Sequence, residues 1–198
     1  MSDTEAPLPE DSRRVLIVEA ARSRMRHVGL AKTTMDMIAE DAGIARPHIY
    51  RYFKDKADLV SAVMIAEAAG INLERLKKLK GVTDTKELVI GSFEAIVDVV
   101  HANPFWHASA GADDIPLSAH AMMLDPVIHG IREEYWGPIL DAAEEAQMLR
   151  PDLDRSLTLA WMIALEIMFV ERRELFTKGS DTRPYVEAFV LPSLFVGT

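Results

Sequence analysis

The sequence predicts an all-α protein, and three observations lead there. Apolar residues recur at spacings of one, three and four through most of the chain, the signature of helices with one buried face. Glycine and proline mostly stand between those stretches and mark their ends. No segment alternates with the period of two that a half-buried strand needs, and no internal repeat stands out. Almost half of the 198 residues are apolar, enough for a packed core.

Taken in order, residues 15–28 place Leu16, Ile17, Ala20, Ala21, Met25 and Val28 on a helix that Gly29 ends. Thr33 and Thr34 then precede Met35, Met37, Ile38, Ala39 and Ala42, a short helix capped by threonine, with Asp36 near its positive end and Gly43 after it. Pro47 sits in the first turn of a third helix predicted over residues 46–53, where its missing N–H costs nothing. Two short helices around a glycine-containing turn make a helix-turn-helix. Ile49 and Phe53, four apart, form its core pair, while Tyr50 and Tyr52 cannot both point into one core.

Helices are expected next over residues 57–79 and 85–101, the latter stopped by Pro104. A short helical turn at 105–108 and a loop should lead to a stretch over 117–148, kinked or divided by Pro126 and Pro138. Residues 155–176 form the most apolar helix, and 184–195 the last, each apolar on more than one side. Such faces call for a second cover, and a partner subunit is the economical one.

Charge divides the chain. The net charge is −9 and cysteine is absent, which excludes a disulfide scaffold, a thiolate zinc site and a cysteine nucleophile. Residues 1–12 are acidic and read as a disordered lead, unlike a targeting leader. Residues 13–56 hold ten basic side chains against five acidic ones, and residues 57–198 are strongly acidic. One end thus suits a phosphate partner and the other does not. The longest nearly apolar run, residues 157–170, carries Glu166 and is too short to cross a bilayer, so a cytoplasmic protein without a membrane partner is expected.

From Ile17 to Leu59 the order of signals is specific: Ala20-Ala21, Met25, Gly29, Thr33-Thr34-Met35-Asp36-Met37-Ile38-Ala39, Ala42-Gly43-Ile44, Pro47, Ile49-Tyr50-Arg51-Tyr52-Phe53, Lys56. This run resembles the N-terminal module of TetR-family transcriptional regulators, in register and without a gap. Met25 stands where phenylalanine is common, and Ala45 where a serine or threonine often caps the recognition helix. The resemblance implies a three-helix DNA-binding domain over 13–56 and a helical effector-binding and dimerisation domain over 57–198. It implies a homodimer, formed through helices near 155–176 and 184–195, on a palindromic operator. It further implies a repressor released by a small ligand, apolar or aromatic, with no cofactor.

Within that frame Arg46 is the candidate for direct base readout, since a guanidinium pairs with guanine in bidentate fashion. Pro47 and His48 would add contacts. By resemblance Tyr50 meets a base or phosphate, Tyr52 and Lys56 grip phosphates, and Thr34 bonds a phosphate from the preceding helix. Candidate ligand contacts are Phe93, Trp106, His107, Met122, Met123, Trp136 and Trp161, large apolar side chains with a few polar handles. An anionic group could meet His101, His107 or Arg132, with nothing to single one out. A DNA-binding protein without an effector is the alternative. An enzyme is not expected: Glu133, Glu134, Asp141, Glu144 and Glu145 scatter around one helix, no histidine pair has metal-ligand spacing, and phosphate-cradling and nucleophile motifs are missing.

Overall fold

The computed structural model describes residues 10–105, 126–175 and 181–197, and they are helical apart from turns and one isolated bridge. The chain separates into two compact units, residues 10–67 with 104–105 and residues 68–103 with 126–175 and 181–197.

The first unit holds α1 (Glu10–Val28), α2 (Met35–Asp41), α3 (Arg46–Ile49) and the opening of α4 (Lys56–Lys78). Ile17, Ala21 and Met25, four apart along one stripe of α1, meet Ile38, Ile49, Phe53, Leu59 and Val63 in a core sealed from solvent, and Phe105 joins them. The left-handed φ of Gly29 and Gly43 lets the chain leave α1 and α2 sharply.

Across this unit Glu67, fully buried, accepts from Arg22 Nε at 2.5 Å and Arg26 Nη2 at 2.9 Å, tying α4 to α1. A fork from Arg24 to Asp41, 2.6 Å on its Nε arm, ties α1 to α2 and holds the Asp41 carboxyl below its ordinary value, chiefly through that hydrogen bond. At the start of α4 the Asp58 amide donates to the Asp55 carboxylate and the Lys54 amide to Asp58, both at 2.9 Å, a reciprocal cap.

Two expectations shift here. The end of the acidic lead, residues 10–12, is helical, with Asp11 near the positive end of α1, and residues 1–9 lie outside the described residues. The third helix stops at Ile49 instead of reaching residue 53, and a turn follows in which the Tyr52 and Phe53 amides share the Ile49 carbonyl at 3.0 Å. Ala45 supplies no side-chain cap, so the first turn of the segment is weakly held.

The second unit holds the remainder of α4, α5 (Thr85–Ala102), α6 (Pro126–Glu145) and α7 (Arg155–Glu171). Asp84 and Asp154 cap α5 and α7, each accepting an amide at 2.9 Å. Pro138 does not divide α6: it lies on the exposed side, as does Glu134, whose carbonyl loses its amide partner where water can replace it. The expected helix over 155–176 ends at Glu171 and passes into a tight turn over Arg173–Leu175. The expected turn at 106–108, the loop beyond it and the start of the stretch over 117–148 lie outside the described residues.

The final helix, α8, opens over Arg183–Tyr185, widens to a π turn over Val186–Val190 and closes over Leu191–Leu194. Pro192 cannot donate to the Ala188 carbonyl, and the Leu191 amide reaches back five residues to Val186. An antiparallel bridge between Leu149 and Phe195 fixes the chain end. Among the described residues no helix is long and apolar enough to cross a membrane.

Candidate nucleic-acid interface and the polar interior of the second unit

The packing of α3 decides what it shows to solvent. Ile49 and Phe53 are fully buried and anchor its inner side, so Arg46, Pro47 and His48 in its first turn and Tyr50 just after it stand outward. Thr34 caps α2, accepting the Met37 amide at 3.3 Å, and is exposed beside them. Tyr52 is half-buried against the core. Arg51 and Lys54 are exposed as well and add positive charge to this face.

Arg46 is not a loose side chain. Its Nε lies 2.7 Å from the Asp36 carboxylate, and the Tyr50 hydroxyl and then Asp36 hold the guanidinium firmly protonated. Asp36, which the sequence reading saw only as a helix-end charge, is thus the neighbour of the candidate contact Arg46. Lys56 is turned differently from the others: its Nζ donates to the Leu30 carbonyl at 2.8 Å and the Ala31 carbonyl at 3.4 Å, fastening α4 to the turn after α1.

The candidate ligand contacts fare unevenly. Phe93 and Trp136 are fully buried with ring centres 5.4 Å apart, and Phe169 stacks on Phe93 at 5.3 Å. Trp161 stands apart from that pair, on the exposed side of α7 with Leu157 and Met168. Trp106, His107, Met122 and Met123 lie outside the described residues. An open cleft of about 520 Å³ runs between the end of α6 and the start of α7, lined by Leu140, Glu144, Arg150, Arg155 and Thr158 among others. Neither Phe93, Trp136 nor Trp161 lines it.

Beside the aromatic pair lies a buried polar knot. Glu166 Oε1 accepts from Arg75 Nη2 and, at 3.0 Å, from Trp136 Nε1. Arg75 also donates to the Ser92 carbonyl and to Asn72, both at 3.2 Å, and its guanidinium lies 3.7 Å over the Tyr135 ring. The Tyr135 hydroxyl pairs with Ser92 Oγ at 2.8 Å, and burial pushes its pKa up. Arg132, one turn earlier on α6, is pulled down from its ordinary pKa, first by burial. A lone acid in an apolar run was the only trace of this knot in the sequence.

Residues 17–63 match the family model described as bacterial regulatory proteins, tetR family. The helix-turn-helix segment is thus similar to the N-terminal module of that family. Similarity to curated relatives is partial. The chain is 29% identical over 93 residues to the HTH-type transcriptional activator FasR of Mycolicibacterium smegmatis, covering 47% of this chain and 42% of that one. It is 45% identical over 51 residues to the HTH-type transcriptional regulator TtgR of Pseudomonas putida, covering 26% and 24%. These matches span less than half the length of either relative.

Likeness of fold to solved structures extends over nearly the whole chain. RolR, solved in complex with resorcinol, superposes with a TM-score of 0.66 at 18% identity, covering 93% of this chain and 88% of that one. The fatty acid degradation regulator FadR from Bacillus halodurans does so at 0.58 and 17%, covering 92% and 93%. At that identity the likeness concerns the fold alone.

Proposed function

We propose that this TetR-family chain is a homodimeric, DNA-binding transcriptional repressor released from a palindromic operator by a small molecule. The observation that carries the DNA-binding part is the outward presentation of Arg46, Pro47, His48 and Tyr50 by a helix-turn-helix whose inner side is locked by Ile49 and Phe53. In such a motif the N-terminal residues of the second helix meet base edges, and neighbouring groups such as Thr34 and Tyr52 position the backbone.

Dimerisation is supported by α7 and α8. Leu157, Trp161 and Met168 follow one another at four and seven residues on the exposed side of α7, and Phe189 of α8 is equally uncovered. A second copy of the same surface would bury them. For the effector, the buried aromatic cluster of the second unit and the resorcinol complex of RolR both favour a compact ligand with an apolar body.

Selection of bound duplexes from a random pool tests this reading. A palindrome with half-sites about one helical turn (~34 to 36 Å) or a multiple apart is the expected product. Failure to enrich any sequence, or a strictly monomeric protein bound to single half-sites, refutes it. On the selected site Arg46→Ala should flatten base preference at its contact by roughly ten- to hundredfold. Lys56→Ala should weaken all sequences alike and also lower thermal stability, because the ammonium holds the Leu30 carbonyl.

A further inference from the structure

The positive charge of the first unit is divided between internal partners and solvent. Ten basic side chains stand in residues 13–56. Arg22 and Arg26 serve Glu67, Arg24 serves Asp41, Arg46 serves Asp36, and Lys56 donates to the Leu30 and Ala31 carbonyls. Arg13, Arg14, Lys32, Arg51 and Lys54 form no ion pair and no side-chain hydrogen bond among the described residues. Lys56, the phosphate grip that the resemblance implies, has a single N–H left to give. A duplex would therefore find its counter-charge mainly in the uncommitted cations.

Three of them gather at one place. The Arg14 guanidinium, near the start of α1, lies 4.8 Å over the ring of Phe53. Phe53 is fully buried and closes the turn after α3, while Arg51 and Lys54, two before it and one after it, are exposed. The acids beside Lys54 are engaged elsewhere: the Asp55 carboxylate accepts the Asp58 amide, and the Asp58 carboxylate accepts the Lys54 amide. Stacking occupies the flat face of the Arg14 guanidinium and leaves its in-plane N–H groups free. The ring also holds the side chain in place, so less freedom is lost when an anion arrives.

We propose that Arg14, with Arg51 and Lys54, clamps the phosphates of duplex DNA, extending the DNA-binding surface from the helix-turn-helix onto α1. Phosphates are the fitting partner because the group lies at the far end of the segment from Arg46, beyond the turn that meets base edges, and its cations are donors only. The clamp rests on the DNA-binding reading above, though not on the operator or the effector.

The test follows fluorescence anisotropy of the full chain on the selected duplex and on a random duplex of equal length, across a salt series. Each phosphate contact contributes about 0.9 to the slope of log affinity against log salt, and a dimer carries every contact twice. Arg14→Gln should thus lower the slope by about two, so that the fall in affinity between about 50 and 200 mM salt shrinks roughly tenfold. Both duplexes should weaken by the same factor, with base preference unchanged. Arg14→Lys should keep the slope because it keeps the charge. Lys80→Gln, which removes an exposed cation of the second unit, should leave the slope as it is.

Four results would each overturn the clamp: an Arg14→Gln slope equal to that of the wild type, an Arg14→Lys slope as low as that of Arg14→Gln, a changed base preference, or an equal loss of slope in Lys80→Gln. If Arg14→Gln fails to fold, the same loss of slope is expected of Lys54→Gln, and its absence there overturns the clamp as well. A random duplex bound with a slope that Arg14→Gln lowers, while no palindrome is selected, supports the clamp and removes the operator reading. A selected palindrome bound by Arg14→Gln with undiminished slope does the reverse. A wild type that binds no duplex refutes both.

Discussion

Each unit of the molecule buries one glutamate against arginine, and the two knots differ in a single respect. In the first unit Glu67 receives Arg22 and Arg26 directly, and both arginines keep a quarter to a third of their side chains in contact with water, at 22% and 33%. In the second unit Glu166 receives Arg75, which water hardly touches, and Arg132 stands near without an ion pair among the described residues. An unpartnered buried Nε occurs in both, on Arg26 and Arg75, so that feature alone distinguishes nothing. The contrast lies in the groups around each glutamate: at the first knot both arginines keep contact with water, while at the second Arg75 has almost none and Trp136 supplies the other donor.

The largest expected effect comes from removing the anion of the dry knot. Glu166→Gln leaves Arg75 buried without its carboxylate partner and should cost about 3 to 5 kcal/mol in urea unfolding. Glu67→Gln should cost less, roughly 1 to 3 kcal/mol, because its arginines can turn to water. If the second loss equalled or exceeded the first, the distinction between the knots would collapse.

Arg22→Met comes next. It should lower stability by about 1 kcal/mol, since one real contact to Glu67 is lost while Arg26 still serves the carboxylate. Setting that fall beside the larger one expected for Glu166→Gln sharpens the comparison most directly.

The smallest effect belongs to the exposed pair of Arg183 with Glu87, joined by two contacts of 3.0 Å. The hydrogen bond from Arg183 holds the Glu87 carboxyl below its ordinary value of 4.5. Its stabilisation is therefore present above that value and is lost as pH falls through the lowered one. Glu87→Gln should remove a little of the acid-side decline in melting temperature, with the effect shrinking further in salt.

How much of this was legible beforehand follows from the distance between partners. Spacings of three and four marked the helices, assigned Ile49 and Phe53 to the core and kept at least one of Tyr50 and Tyr52 out of it, because those are properties of one element. The boundary of α3 was missed because the end of so short a helix is set by its last turn, where periodicity says little. The knots were invisible because they join elements far apart in the chain; Arg75 and Glu166 are 91 residues apart. Only the oddity of one acid inside the run 157–170 hinted at them. Trp161 misled for a related reason: in a helix apolar all round, sequence does not say which side turns in.

The contact between Asp36 and Arg46 has a bearing on how the protein would search a genome. On the proposed reading Arg46 gives up the Asp36 carboxylate before it engages a base, a cost of at most about 1 kcal/mol for so exposed a pair, which a guanine with two acceptors repays better than a base with one. Asp36→Asn should make it stickier everywhere and fussier nowhere, which competition with bulk DNA would expose.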